Sequence, residues 1–99
     1  MDVDENVLSD APEGEELELK DGETVNSIPD LSKMLPMLSE SAFRFHQDKG
    51  DFSEWVERVF GDLDLARQIR EARTKHFMKR QIDARLEELK KGNFNSRRK

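Results

Sequence analysis

The chain has 99 residues, 34% hydrophobic and 39% charged, with a net charge of −5 at pH 7. A chain this short has room for one domain and buries only about two-thirds of its surface, which excludes a second core. Cys is absent, which excludes disulfides and thiolate metal sites; with no apolar leader and no run of about 18 apolar residues, the expectation is a cytoplasmic protein without a membrane span.

The charge is distributed unevenly. Residues 1–26 carry ten Asp or Glu against Lys20 alone, a net −9; residues 27–64 carry −4; residues 65–99 carry twelve basic against four acidic residues, a net +8. An acidic head and a basic tail attract each other, a second copy, or partners of opposite sign. The aromatic residues mark the core, since every Phe and Trp except Phe77 and Phe94 lies between Phe43 and Phe60.

Residues 1–14 are acidic, aperiodic and interrupted by Pro12 and Gly14, so they are expected to be disordered. Leu17 and Leu19 then alternate with Glu18 and Lys20 ahead of Asp21-Gly22, the signature of a hairpin. A three-residue turn over Asp21, Gly22 and Glu23 places Leu19 opposite Val25, whereas a two-residue turn puts Val25 on the other face. An isolated hairpin is marginal in water, so its leucine face must dock on the helices.

Ser27 and Asp30 form a capping-box pattern with Pro29 in the first turn, and Leu31, Met34, Leu35 and Leu38 recur at helical spacing. A first helix is therefore expected from Ile28 to Met37, ended early or bent by Pro36. Ser39 starts a second helix through Phe43 and His46, stopped by Gly50. Asp51 with Glu54 is the next cap pattern, followed by Phe52, Trp55, Val56, Val59 and Phe60 on one helical face. Gly61-Asp62 ends that helix and caps another carrying Leu63, Leu65, Ala66, Ile69 and Ala72.

From Leu63 to Lys91 neither Gly nor Pro intervenes, and one unbroken helix of that span would be about 43 Å long. The apolar stripe slips in phase between Ala72 and Phe77, and Thr74 stands where a new N-cap is needed. The helix is expected to break near Arg73 and a fifth to begin at Lys75, with a single straight helix as the alternative. The expected fold is thus mainly α, a compact bundle of four to five short helices with a small N-terminal β-hairpin. It spans residues 15–91 and is followed by a flexible basic tail over 92–99.

The order LELKDGETVNSIPDLSKML, then FRFH closing a helix, then GDFSEWVERVFGDLDLARQI, then Thr74-Lys75, resembles a small archaeal and bacterial domain family of unknown function. That family carries a strand with a glycine turn, a His-bearing helix, an Asp-Phe-x-x-Trp element and a Gly-Asp-x-x-Leu-Ala element. The resemblance covers roughly residues 17–82, with His46, Asp51, Phe52, Trp55, Gly61, Asp62, Leu65 and Ala66 on the pattern. Members occur alone or appended to larger proteins, including sugar-handling enzymes. The resemblance implies this fold and an accessory role.

No nucleophile elbow, glycine-rich phosphate loop or Ser/His/Asp pattern is present, so no enzyme and no cofactor is expected. His46 and His76 match no metal-ligand spacing, and His46 is expected to bond near the next helix start, where Asp51 is close. Two function classes remain. The first is a protein-interaction or regulatory module, using the stripe Phe77, Met78, Ile82, Leu86 and Leu89 of the fifth helix to engage a protein partner or a second copy. The alternative is a helix-turn-helix-like nucleic-acid binder with Arg67, Arg70 and Arg73 on its recognition helix. Glu54, Glu57, Asp62 and Asp64 crowd that unit and repel phosphate, which favours the first class.

Overall fold

A computed structural model describes residues 10–90. The tail expected over 92–99, and residues 1–9 of the expected disordered head, lie outside the described residues. In chain order the elements are β1 (Leu17–Glu18), β2 (Thr24–Val25), α1 (Ile28–Met34) tightening into a 3₁₀ turn over Leu35–Met37, α2 (Glu40–Lys49), α3 (Asp51–Trp55) widening into a π-turn over Val56–Phe60, α4 (Leu63–Glu71) and α5 (Lys75–Lys90). Five helices and an N-terminal hairpin are the expected architecture.

The hairpin pairs Leu17 with Val25 and Glu18 with Thr24. Leu19 N–H donates to Glu23 O at 2.8 Å, and Gly22 N–H to Leu19 O at 2.9 Å. The three-residue loop is therefore Lys20, Asp21 and Gly22, one residue earlier than expected. The last loop position needs a positive φ, and Gly22 takes it at 94° without the steric cost of a Cβ. Moving the loop by one residue moves the register by two, which preserves the face: Leu17, Leu19 and Val25 are all buried. The strand side also begins before Glu15, because Asp10 bridges Ser27 and Ala11 N–H donates to Asn26 O at 2.6 Å.

Side-chain caps set the helix boundaries. Ser27 Oγ accepts from Asp30 N–H at 3.1 Å, and Asp30 Oδ2 accepts in return from Asn26 N–H at 3.1 Å, so one orphan donor of α1 and the N–H of the residue before its cap are satisfied. Pro36 cannot donate to the helix ladder, and there the α geometry gives way to the 3₁₀ turn. Ser39 Oγ accepts from Ala42 N–H at 3.1 Å to open α2, and Gly50 closes it at φ 72°.

Asp51 departs from its expected role. It is the first residue of α3, which has Gly50 as its N-cap and no side-chain cap, and its carboxylate turns to His46 instead. Beyond Trp55 the helix widens, and Gly61 N–H lies 3.1 Å from both Val56 O and Glu57 O. Residues five apart in an α-helix point about 140° apart. The π-turn reduces that angle and brings Phe60 onto the face of Trp55, where the two rings meet edge to face at 5.1 Å. Trp55 is 1% exposed, and its Nε1–H donates to Glu15 O at 2.8 Å.

The long Gly- and Pro-free stretch is two helices. α4 ends at Glu71 and α5 starts at Lys75, with Thr74 Oγ1 accepting from Phe77 N–H at 3.1 Å. A turn of direction at this joint lets Ile69, Ala72, Met78 and Ile82 all be buried despite the phase slip. Three polar ties hold α5 in place. Asp62, 3% exposed, caps α4 through Leu65 N–H and accepts from Arg85 Nε at 2.8 Å. Lys79 Nζ donates to Ser32 Oγ at 3.1 Å and to Asp83 Oδ2 at 3.0 Å, while Ser32 Oγ donates to Asp83 Oδ1. Lys75 Nζ donates to Leu38 O at 2.5 Å.

Candidate functional site

The stripe expected as an interaction surface on α5 is the domain's own core. Met78 and Ile82 are fully buried and Leu86 and Leu89 nearly so, whereas Phe77 alone of the five is exposed, at 45%. The reason is the Thr74 joint, which aims the stripe back onto α1 and α4 and leaves Phe77 on the outer side. The other exposed aromatic among the described residues, Phe45, has the ammonium groups of Lys20 and Lys49 each 4.5 Å from its ring centre.

The arginines of the nucleic-acid alternative do not converge on one surface. Arg67 Nη2 pairs with Asp64 at 3.5 Å beside α5, and Arg70 Nη2 pairs with Glu57 of the π-turn at 3.8 Å. Arg73 lies past the end of α4, in the joint. Arg67 faces a groove shared with Gln81 and Arg85, while Arg70 and Arg73 face a different one.

That second groove is an open, mainly polar depression of about 620 Å³. Phe43, Arg44, Gln47 and Asp48 of α2 form one wall, and Arg70, Glu71, Ala72 and Arg73 form the other. Arg44 and Gln47 are three residues apart and so share a face of α2. Gln47 reaches across to the frayed end of α4. Its Nε2 donates to Ile69 O at 2.9 Å and Ala72 O at 2.7 Å, with Arg70 O at 3.3 Å. Ile69 O also accepts from Ala72 N–H at 3.1 Å, so Gln47 adds a second donor to it and ties the last carbonyls of α4 to α2.

Both hydrogens of the Gln47 amide are committed to carbonyls, so its Oε1 points away from them as a pure acceptor. It is buried and has no hydrogen-bond partner among the described residues. An orphaned buried acceptor costs about 1–3 kcal/mol, more than the 0–1 kcal/mol of a typical surface ion pair. Around it, Arg44 and Arg73 have no ion pair or hydrogen bond among the described residues, while Arg70 is shared with Glu57. Asp48 and Glu71 keep the rim from being uniformly basic.

His46 sits on the buried side of the same helix as a fixed connector. Lys20 N–H donates to its Nε2 at 2.8 Å, so Nδ1 carries the proton and donates to Asp51 Oδ2 at 2.8 Å. The expected proximity to Asp51 is found, and the bond to the hairpin loop is an addition to it. Among the described residues no three His, Cys, Asp or Glu side chains are grouped to hold a metal ion, and no helix is long and apolar enough to cross a membrane. The Gln47 groove was missed in the sequence because its contacts span 22 to 25 residues; the only local signal was the Arg44–Gln47 spacing.

Compared with family models, curated proteins and solved structures, the chain matches none of them. Its geometry is therefore the basis for any functional reading.

Proposed function

We propose that the chain is a non-catalytic protein-interaction or regulatory module that engages its partner in the groove between α2 and the α4–α5 joint. The observation carrying this reading is that two exposed arginines lining one groove, Arg44 and Arg73, have no ion pair or hydrogen bond among the described residues. The serine set against a lysine among the described residues agrees with the non-catalytic part: Ser32 is buried and its Oγ donates to Asp83, so it offers no exposed nucleophile. The resemblance to a family of appended accessory domains agrees with the proposal.

Nucleic-acid binding is the weaker reading, since carboxylates already hold Arg67 and Arg70 and a polyanion needs several free cations in one track. The test is affinity capture from an extract of the source organism with the wild-type chain and with the Arg44→Glu, Arg73→Glu double variant, each checked for its fold. A protein retained by the wild type and lost with the variant supports the proposal. Equal capture by both, or retention of nucleic acid alone, overturns it.

A further inference from the structure

We infer that His46 is a proton-operated latch on the hairpin: the neutral ring holds the loop through Nε2, and a proton taken up at that nitrogen releases the loop while the bond to Asp51 persists. The two ring nitrogens serve different elements. Nε2 accepts from the backbone N–H of Lys20 at 2.8 Å, and Nδ1 lies 2.8 Å from Oδ2 of Asp51, the first residue of α3. A neutral imidazole has one donor and one acceptor, so these two partners use it completely, whereas an imidazolium has two donors and no acceptor. With a proton on Nε2, two N–H groups face each other across a hydrogen-bond distance, and one of them must move. The His46 side chain is only 6% exposed and packs against the rings of Phe45 and Phe52, with centres 5.0 and 5.6 Å away. Lys20, Asp21 and Gly22 are exposed, so the loop is the part that yields.

The charges around the ring come from all three elements packed on it. Asp51 of α3 accepts from Nδ1 in either state, and its carboxylate favours the imidazolium once that forms. Lys49 of α2 has its Nζ 3.9 Å from the same Asp51 oxygen, and Lys20 of the loop stands with it over the Phe45 ring, each 4.5 Å from the ring centre. Both cations oppose a charge on His46. Opening the loop carries Lys20 away and admits water to the ring, so the open state takes up the proton more readily than the closed one. The state that binds more protons gains as pH falls. Opening is thus favoured in acid, by at most about tenfold per pH unit for one proton. Leu19, buried one residue before the latch, loosens with it, and apolar surface is uncovered in acid that stays covered at neutral pH. The latch stands whether or not the groove at Arg44 and Arg73 binds a partner.

The experiment is a pH titration of the full chain, labelled with ¹⁵N, across the range in which imidazoles change charge, about pH 8 to about pH 5. It is followed at the imidazole nitrogens, at the Lys20 amide and at the nitrogen–nitrogen coupling across the bond between them. At the alkaline end the coupling to His46 Nε2 is expected, with Nδ1 protonated. Toward the acid end Nε2 should gain a proton, the coupling should fall at least about fivefold, and the Lys20 and Leu19 amides should shift in step with it while those of α4 and α5 hold. Asp51→Asn keeps an oxygen for Nδ1–H but loses the carboxylate, and should need more acid to release the loop. His76→Gln, at an exposed position, should leave the transition in place, and His46→Gln should remove it. Protonation of Nε2 with the Lys20 amide unmoved overturns the inference, as does release of Lys20 with Nε2 still bare, or a ring that stays neutral to about pH 5. So do a transition that survives His46→Gln and a loss of the α4 and α5 signals together with those of the hairpin, which would be unfolding of the whole domain.

Discussion

Trp55 combines the largest buried ring in the chain with a hydrogen bond that anchors the segment before β1. Trp55→Ala removes both and leaves the Glu15 carbonyl without its donor, at an expected cost of about 3–5 kcal/mol, most of the stability of a small domain. Urea unfolding of the variant checks this, and a native emission maximum of a fully exposed tryptophan would contradict the burial. Asp83 offers a pH-dependent check on the α1–α5 tie. Partial burial pushes its carboxyl up, but the hydrogen bonds from Ser32 and Lys79 and the Lys79 charge outweigh this and hold it below the ordinary value of 3.8. A lowered folded-state value contributes stability that is present above the ordinary value and is lost as pH falls through the folded one. Asp83→Asn is therefore expected to destabilise the chain near neutral pH, with the gap to the wild type closing in acid. Equal gaps at about pH 7 and about pH 3 would refute the linkage.

At the scale of elements, the two joints on either side of α4 are built differently. Gly61 closes the π-turn at φ 72°, and an added Cβ there would meet nothing within 4 Å. Gly61→Ala thus isolates the backbone cost of the left-handed conformation, about 1–2 kcal/mol, and Gly61→Asn is expected to cost less, because Asn tolerates that region. Equal losses for the two variants, read from thermal unfolding, would show that packing decides instead. The other joint depends on a cap, and Thr74→Ala should cost about 1 kcal/mol. The break at Thr74 was legible because a phase slip in the apolar stripe coincided with a capping residue. The π-turn was not, because Phe60 already fits an α-helical stripe, and the wider coil shows only in the Gly61 to Val56 backbone bond and the ring contact of Phe60 with Trp55.

For the whole molecule, patterning specified which side chains are apolar and at what period, and from these the helices, their order and the hairpin followed. It did not specify which faces meet. The α5 stripe was the case in point: an amphipathic helix reads the same whether its apolar face covers a partner or its own core, and the choice depends on the angle at the joint. Ile82→Asp accordingly should abolish the fold, since it places an unpaired carboxylate at a fully buried position, while Phe77→Ser on the outer face should change stability by no more than about 0.5 kcal/mol. Circular dichroism of both variants decides between a core stripe and an exposed one. The groove was illegible for a related reason, since a glutamine that caps a distant helix end has no sequence signature.

The hairpin's attachments also fix when it can form. Its loop is bonded to His46 across 26 residues, and the segment before it to Trp55 across 40, whereas the strands themselves share two registered pairs. β2 packs on α1, which follows it directly, but the loop and the segment before β1 have their partners only once α2 and α3 have followed and packed. The hairpin's amides should exchange with solvent through an opening that leaves the five helices closed.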